Sequence, residues 1–153
     1  MRATRPAAAT DPYDLQRFVD AQEHVYGPAL SEIKSGLKRS HWMWFIFPQF
    51  RGLGVSRTSE RFALKSVAEA RAYLAHPVLG QRLVECAEAI LEVSDRSAFE
   101  ILGSPDDLKL RSCATLFACA SPEIPAFQRV LDKYFRGQRD DRTLHLMARA
   151  DQT

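Results

Sequence analysis

The side chains best suited to chemistry lie together at positions 38–61, in KRSHWMWFIFPQFRGLGVSRTSER. Arg39, Ser40 and His41 lead into an unbroken apolar run that holds both tryptophans, Trp42 and Trp44. Beyond Pro48, Gly52 and Gly54 stand two apart among the hydroxyls of Ser56, Thr58 and Ser59 and the guanidinium groups of Arg51, Arg57 and Arg61. Anions are commonly held by backbone amides that glycine leaves accessible, by hydroxyl donors and by arginine forks, and this segment carries all three. A second reading accounts for the same residues. Six consecutive apolar residues are most often core, glycines serve turns, and arginines keep surfaces soluble. The segment matches neither the Walker loop, lacking its Gly-Lys-Ser/Thr ending, nor the dinucleotide fingerprint, lacking a third glycine.

The expected guest on the first reading is a phosphorylated, nucleotide-like molecule such as ADP-ribose, with Trp42 or Trp44 against its ring. Hydrolysis of an N-glycosidic bond passes through a cation-like sugar, which a carboxylate stabilises while activating water. Asp107 and Glu60 are the carboxylates proposed for that role, and His41 is the acid or base. Arg39, Ser40, Trp42, Trp44, Gln49, Arg51, Gly52, Gly54, Ser56, Ser59 and Lys109 complete the expected binding set. Helix capping accounts equally for Asp106 and Asp107. His24, His76 and His145 are scattered without ligand spacing, so no metal is expected, and no cofactor. The alternative function is a non-catalytic protein-protein interaction module that uses the aromatic and basic block, because tryptophan and arginine dominate such surfaces.

A chain of 153 residues can remove roughly 68–70% of its unfolded surface from water, enough for one core. Apolar residues are 46% and charged residues 26% of the chain, a globular balance with no apolar stretch long enough to span a bilayer. A net charge of +2 is too small to argue for nucleic-acid binding. Cys86, Cys113 and Cys119 form an odd set without metal spacing, which reads as buried thiols in a reducing cytoplasm. Residues 1–11 read as a flexible tail and 12–150 as the domain. The oligomeric state stays open.

Helical signals dominate the elements that must position the block. Asp11-Pro12 predicts a helix start, with Leu15, Phe18, Val19 and Val25 as its stripe up to a break at Gly27-Pro28. A second helix is predicted from Pro28 through Leu37. Ser66 and Glu69 have capping-box spacing, and His76-Pro77 ends that helix. Leu79, Leu83, Ala87, Ile90 and Leu91 mark the clearest amphipathic helix. SPDDLKLRSCATLFACA opens with a cap, proline and acids and is then apolar nearly all round, predicting a central helix. Phe127 to Phe135, closed by Gly137, and a short helix near Leu144 to Ala148 follow. The class is mainly α, a single compact multi-helix domain with at most one short extended element, whose candidate is 42–47.

The 38–61 block, with DLQRFVDAQ before it and AYLAHPVLGQRL, DDLKLRSCATLF and FQRVLDKYFRGQRDDRTL after it, resembles the bacterial domain-of-unknown-function family 1810 over about residues 11–147. The resemblance implies a mainly helical single domain and carries no activity with it. Members are sometimes labelled calpastatin, a label at odds with these helical apolar stripes because calpastatins are disordered inhibitors. The family usually has Ser-Ser-Met-Thr-Leu-Phe where this chain has Ser112 to Phe117, so Ser112 and Thr115 match while Cys113 and Ala114 depart. FQRVLDKYFRG is also similar to stretches of small helical proteins that process ADP-ribose or related N-glycosides.

Overall fold

The computed structural model describes residues 11–151, and the tail proposed for 1–11 lies almost wholly outside them. Within them the chain forms ten helices: α1 (Gln16–Gln22), α2 (Tyr26–Ser35), α3 (Met43–Ile46), α4 (Arg57–Arg61), α5 (Val67–Ala75), α6 (Leu79–Leu91), α7 (Ala98–Leu102), α8 (Asp106–Ala120), α9 (Pro125–Phe135) and α10 (Asp141–Asp151). The apolar stretch of α8 makes it the centre, packed against α5, α7, α9 and α10, with Leu110, Cys113, Leu116 and Phe117 at most 1% exposed. Around it α6 packs on α2, α3, α5 and α9. One core results, since Phe18, Tyr73, Phe117 and Phe127 form a chain of ring contacts through it.

Several boundaries differ from the sequence reading for local reasons. The Asp11 carboxylate does take orphan amides, but those of Leu15 and Gln16, and Asp14 adopts a left-handed φ of 52°, so α1 begins at Gln16 instead of Pro12. Gly27 and Pro28 do not break the chain. They occupy the first turn of α2, where a missing amide hydrogen costs nothing. Ser66 caps α5 through the Glu69 amide, yet the Glu69 carboxylate bonds the Lys65 amide and Arg17 instead of closing the box. The box closes fully at Ser97 and Glu100, which start α7, a helix whose spacing signal is present in the sequence.

The extended element expected at 42–47 is instead the short helix α3. A strand would bury alternate side chains, whereas this helical turn and its flanks bury Trp42, Met43, Ile46 and Phe47 together. Extended pairing occurs just beyond, where Phe50 and Leu64 form an isolated parallel bridge. The Arg51 amide donates to the Leu64 carbonyl at 2.8 Å and the Leu64 amide to the Gln49 carbonyl at 2.9 Å, closing the loop that carries α4.

Candidate functional site

Glu32, near the end of α2, organises the approach to the site. Gly36 takes a left-handed φ of 78° and turns the chain, and the Lys38 amide donates to the Ile101 carbonyl at 2.7 Å, fastening the turn to α7. The Glu32 carboxylate then accepts from the Arg39 amide at 2.7 Å, the Ser40 amide at 3.0 Å, the Ser40 hydroxyl at 2.7 Å and the Trp42 indole at 2.9 Å. Partial burial alone would raise the pKa of Glu32. The donated hydrogens outweigh it and lower the pKa from 4.5 to about 2.

The sign of the pH effect follows from that direction. A depressed folded pKa contributes stability above pH 4.5 that is lost as pH falls towards 2. Allowing for solvent screening at this partly exposed group, the contribution is about 1–2 kcal/mol. Glu32→Gln is therefore expected to lower the urea midpoint at pH 7 and to flatten its decline between pH 5 and pH 2. Parallel pH profiles for the variant and the parent protein would show that Glu32 is not the acid-sensitive clasp.

The 38–42 turn, α3, the start of α4 and the first turn of α8 line an open cavity of about 410 Å³. Lys38, His41, Trp42, Met43, Trp44, Phe45, Ser56, Thr58, Asp106 and Lys109 line it. Both oxygens of Asp106 are engaged, Oδ2 by the Lys38 ammonium at 3.0 Å and Oδ1 by the Lys109 ammonium at 3.1 Å. The Lys109 ammonium also lies 4.3 Å from the Trp44 ring centroid, and that of Lys38 lies 5.3 Å from Trp42. Trp42 is 1% exposed and tied to Glu32, so its ring belongs to the core. Trp44 is half-buried and is the indole available to a guest.

Of the residues expected from sequence, His41, Trp42, Trp44, Ser56 and Lys109 line this cavity. The Ser40 hydroxyl and the Arg39 amide serve Glu32. Ser59 is buried and bonded to Ser56, whose hydroxyl caps α4 by accepting the Ser59 amide. The glycines shape the wall without lining it. A Cβ on Gly54 would lie 2.5 Å from that of Ser59 and 2.9 Å from Trp44 Cη2, so only glycine lets the chain pass the indole edge. Gly52, with φ of 102°, rests on Leu146, and its carbonyl accepts from Arg142 at 3.2 Å.

Arg51 and Glu60 are exposed and do not line the cavity. Asp107 and Gln49 are also absent from its wall. Each has a buried polar atom with no partner, Asp107 Oδ1 and Gln49 Nε2.

Lys38, Met43, Phe45, Thr58 and Asp106 are the lining residues outside the expected set. Lys38 and Asp106 are far apart in sequence, and only the Asp106–Lys109 spacing of three residues hinted at a shared face. The hydroxyls of Ser112 and Thr115, which match the family pattern, bond the carbonyls one turn earlier, and Thr115 also accepts the Asp140 amide at 2.9 Å. They hold α8 and its connection to α10.

Burial pushes the Cys86 thiol up to about 12 and the Cys113 thiol well above its ordinary value, which leaves both as unreactive core groups. Among the described residues, no three His, Cys, Asp or Glu side chains cluster as a metal site, and no helix is long and apolar enough to cross a membrane.

The crystal structure of the conserved hypothetical protein Rv1873 from Mycobacterium tuberculosis is similar throughout. Its TM-score is 0.89 at 51% identity, over 90% of this chain and 99% of that one. No significant match is found among curated proteins. Residues 12–147 match the family described as Protein of unknown function (DUF1810), so the chain, with its Glu32-clasped turn and lysine-aspartate cavity, belongs to that family.

Proposed function

We propose that the cavity binds a small phosphorylated molecule bearing a planar ring, of the nucleotide-like class that includes ADP-ribose. The observation that carries this reading is the placement of two ammonium groups on one carboxylate beside a half-buried indole. Lys38 and Lys109 against Asp106 leave one net positive charge at the cavity, and its volume falls in the range of small-molecule sites. Binding is better supported than hydrolysis. The carboxylate in the wall, Asp106, has both oxygens committed to lysines, and neither Asp107 nor Glu60 reaches the wall to activate water at a sugar.

Thermal unfolding against ADP-ribose, nucleoside monophosphates and sugar phosphates tests the reading. A compound at a hundred times its dissociation constant adds about 2.7 kcal/mol of stability. Lys109→Ala and Lys38→Ala are each expected to weaken that response at least tenfold in affinity, about 1.4 kcal/mol, the scale of a charge-assisted hydrogen bond. A panel without any response would remove the proposal.

One observation favours the alternative of a protein-interaction module. The exposed large apolar side chains Leu37, Val55 and Leu108 directly neighbour the lining residues Lys38, Ser56 and Lys109 in sequence. A surface of this kind would lose a partner on Leu37→Ser and Leu108→Ser while keeping any response to small phosphates.

A further inference from the structure

Resting on the cavity reading above, the geometry points to Lys109 as a coupling residue between a phosphate subsite and a ring subsite. We propose that the occupant is accordingly a phosphomonoester joined to a planar ring by a short spacer. A single ammonium group serves both subsites, lying 3.1 Å from Asp106 Oδ1 and 4.3 Å from the Trp44 ring centroid. On the other side of the same carboxylate stands the Lys38 ammonium, 3.0 Å from Oδ2. Each ammonium has three hydrogens and gives one to Asp106. The remaining hydrogens of the two lysines flank Asp106, and an anion with several terminal oxygens can engage both at once. A phosphomonoester has three.

The indole face is the other half of the argument. The Lys109 ammonium rests against Trp44, and a planar group that stacks there displaces a cation from the π face. A phosphate held between Lys38 and Lys109 draws that ammonium towards itself and frees the face. A ring arriving alone gives up the cation-π contact with nothing in return. Phosphate therefore promotes ring binding, and by linkage the ring promotes phosphate binding. Because the reach of one side chain spans both subsites, phosphate and ring must be near neighbours in the ligand. A Cβ at Gly54 would lie 2.9 Å from Trp44 Cη2, so the indole holds this position only with glycine there.

Trp44 emission reports the event. Trp42 also lies at the cavity wall, with the Lys38 ammonium 5.3 Å from its ring centroid, so the Trp44 signal is read as the difference between the parent protein and Trp44→Phe. The probes are inorganic phosphate, adenosine and adenosine 5′-monophosphate, titrated singly and with phosphate and adenosine together. Saturating phosphate is expected to tighten adenosine at least about fivefold, the lower end of ordinary coupling between two sites. In Lys109→Met the coupling factor should fall to one. Lys38→Met should weaken phosphate yet keep a coupling factor above one, a contrast with Lys109→Met that a merely structural role for Lys109 would not produce. Circular dichroism of each variant controls for folding. If phosphate and adenosine bind independently in the parent protein, or Lys109→Met preserves the coupling, the inference is overturned while the cavity reading stands. If none of the probes binds, both fall.

Discussion

Replacing Arg17 with alanine is expected to cost about 3–5 kcal/mol of stability, the largest effect of any surface-to-core charge in this chain. Arg17 is 8% exposed and Glu69 is 2% exposed, and their ion pair measures 3.0 Å. The guanidinium also donates to the carbonyls of Tyr13 at 2.6 Å, Asp14 at 2.7 Å, Arg61 at 2.7 Å and Ala63 at 3.0 Å. One side chain thus joins the chain before α1, the end of α4 and the first turn of α5. Truncation leaves a buried carboxylate without its cation and removes the side-chain donor from the carbonyls of Tyr13, Arg61 and Ala63, while that of Asp14 keeps the backbone amide of residue 17. Arg17→Lys should recover less than half of the loss, because an ammonium cannot span that fork of acceptors. Urea unfolding with an unchanged slope is the measurement. A loss under about 1 kcal/mol would mean that water reaches Glu69 and takes over the role.

The second large effect is expected at Gly80, in the first turn of α6. By helix propensity alone, Gly80→Ala would stabilise the protein by about 1 kcal/mol. The tertiary contact reverses that sign. A Cβ there would lie 1.9 Å from the Leu74 carbonyl oxygen and 2.7 Å from its carbon, both of them α5 backbone that cannot swing aside. The two helices must separate, and a net loss of about 3 kcal/mol is expected, at the upper end of the usual range for overpacking. Thermal or urea unfolding of Gly80→Ala decides between the signs. Stabilisation would show that α5 and α6 can slide apart freely, contrary to the close crossing this glycine permits.

Both effects concern residues whose roles are silent in local sequence. Arg17 is one of many basic side chains, and nothing near it in the chain announces Glu69. Gly80 reads as a helix weakener until Leu74 is brought against it. The same holds at the cavity, where the sequence points to Trp44 and Lys109 but accounts for Asp106 by helix capping. Its carboxylate does stand in the first turn of α8, yet its partners are two lysines, one of them delivered by the turn after α2. The glycine-rich segment reads equally as an anion cradle or as turn and surface. It folds around a capped turn, α4, that leaves Gly52 against Leu146 of α10 and Gly54 against an indole edge, with Ser56 in the cavity wall.

What the sequence alone determined is the class and most of the helices. Helical periodicity, caps and proline breaks are short-range signals, governed by backbone hydrogen bonding within a few residues. They placed α5, α6, α8 and α9, and the apolar circumference of α8 marked it as central. Only the tertiary structure decided that Trp42 is buried and bonded to Glu32 while Trp44 stays half-buried at the cavity, and which carboxylate stands between the lysines. Those outcomes depend on contacts between segments distant along the chain, where burial and charge pairing are set by packing instead of local propensity.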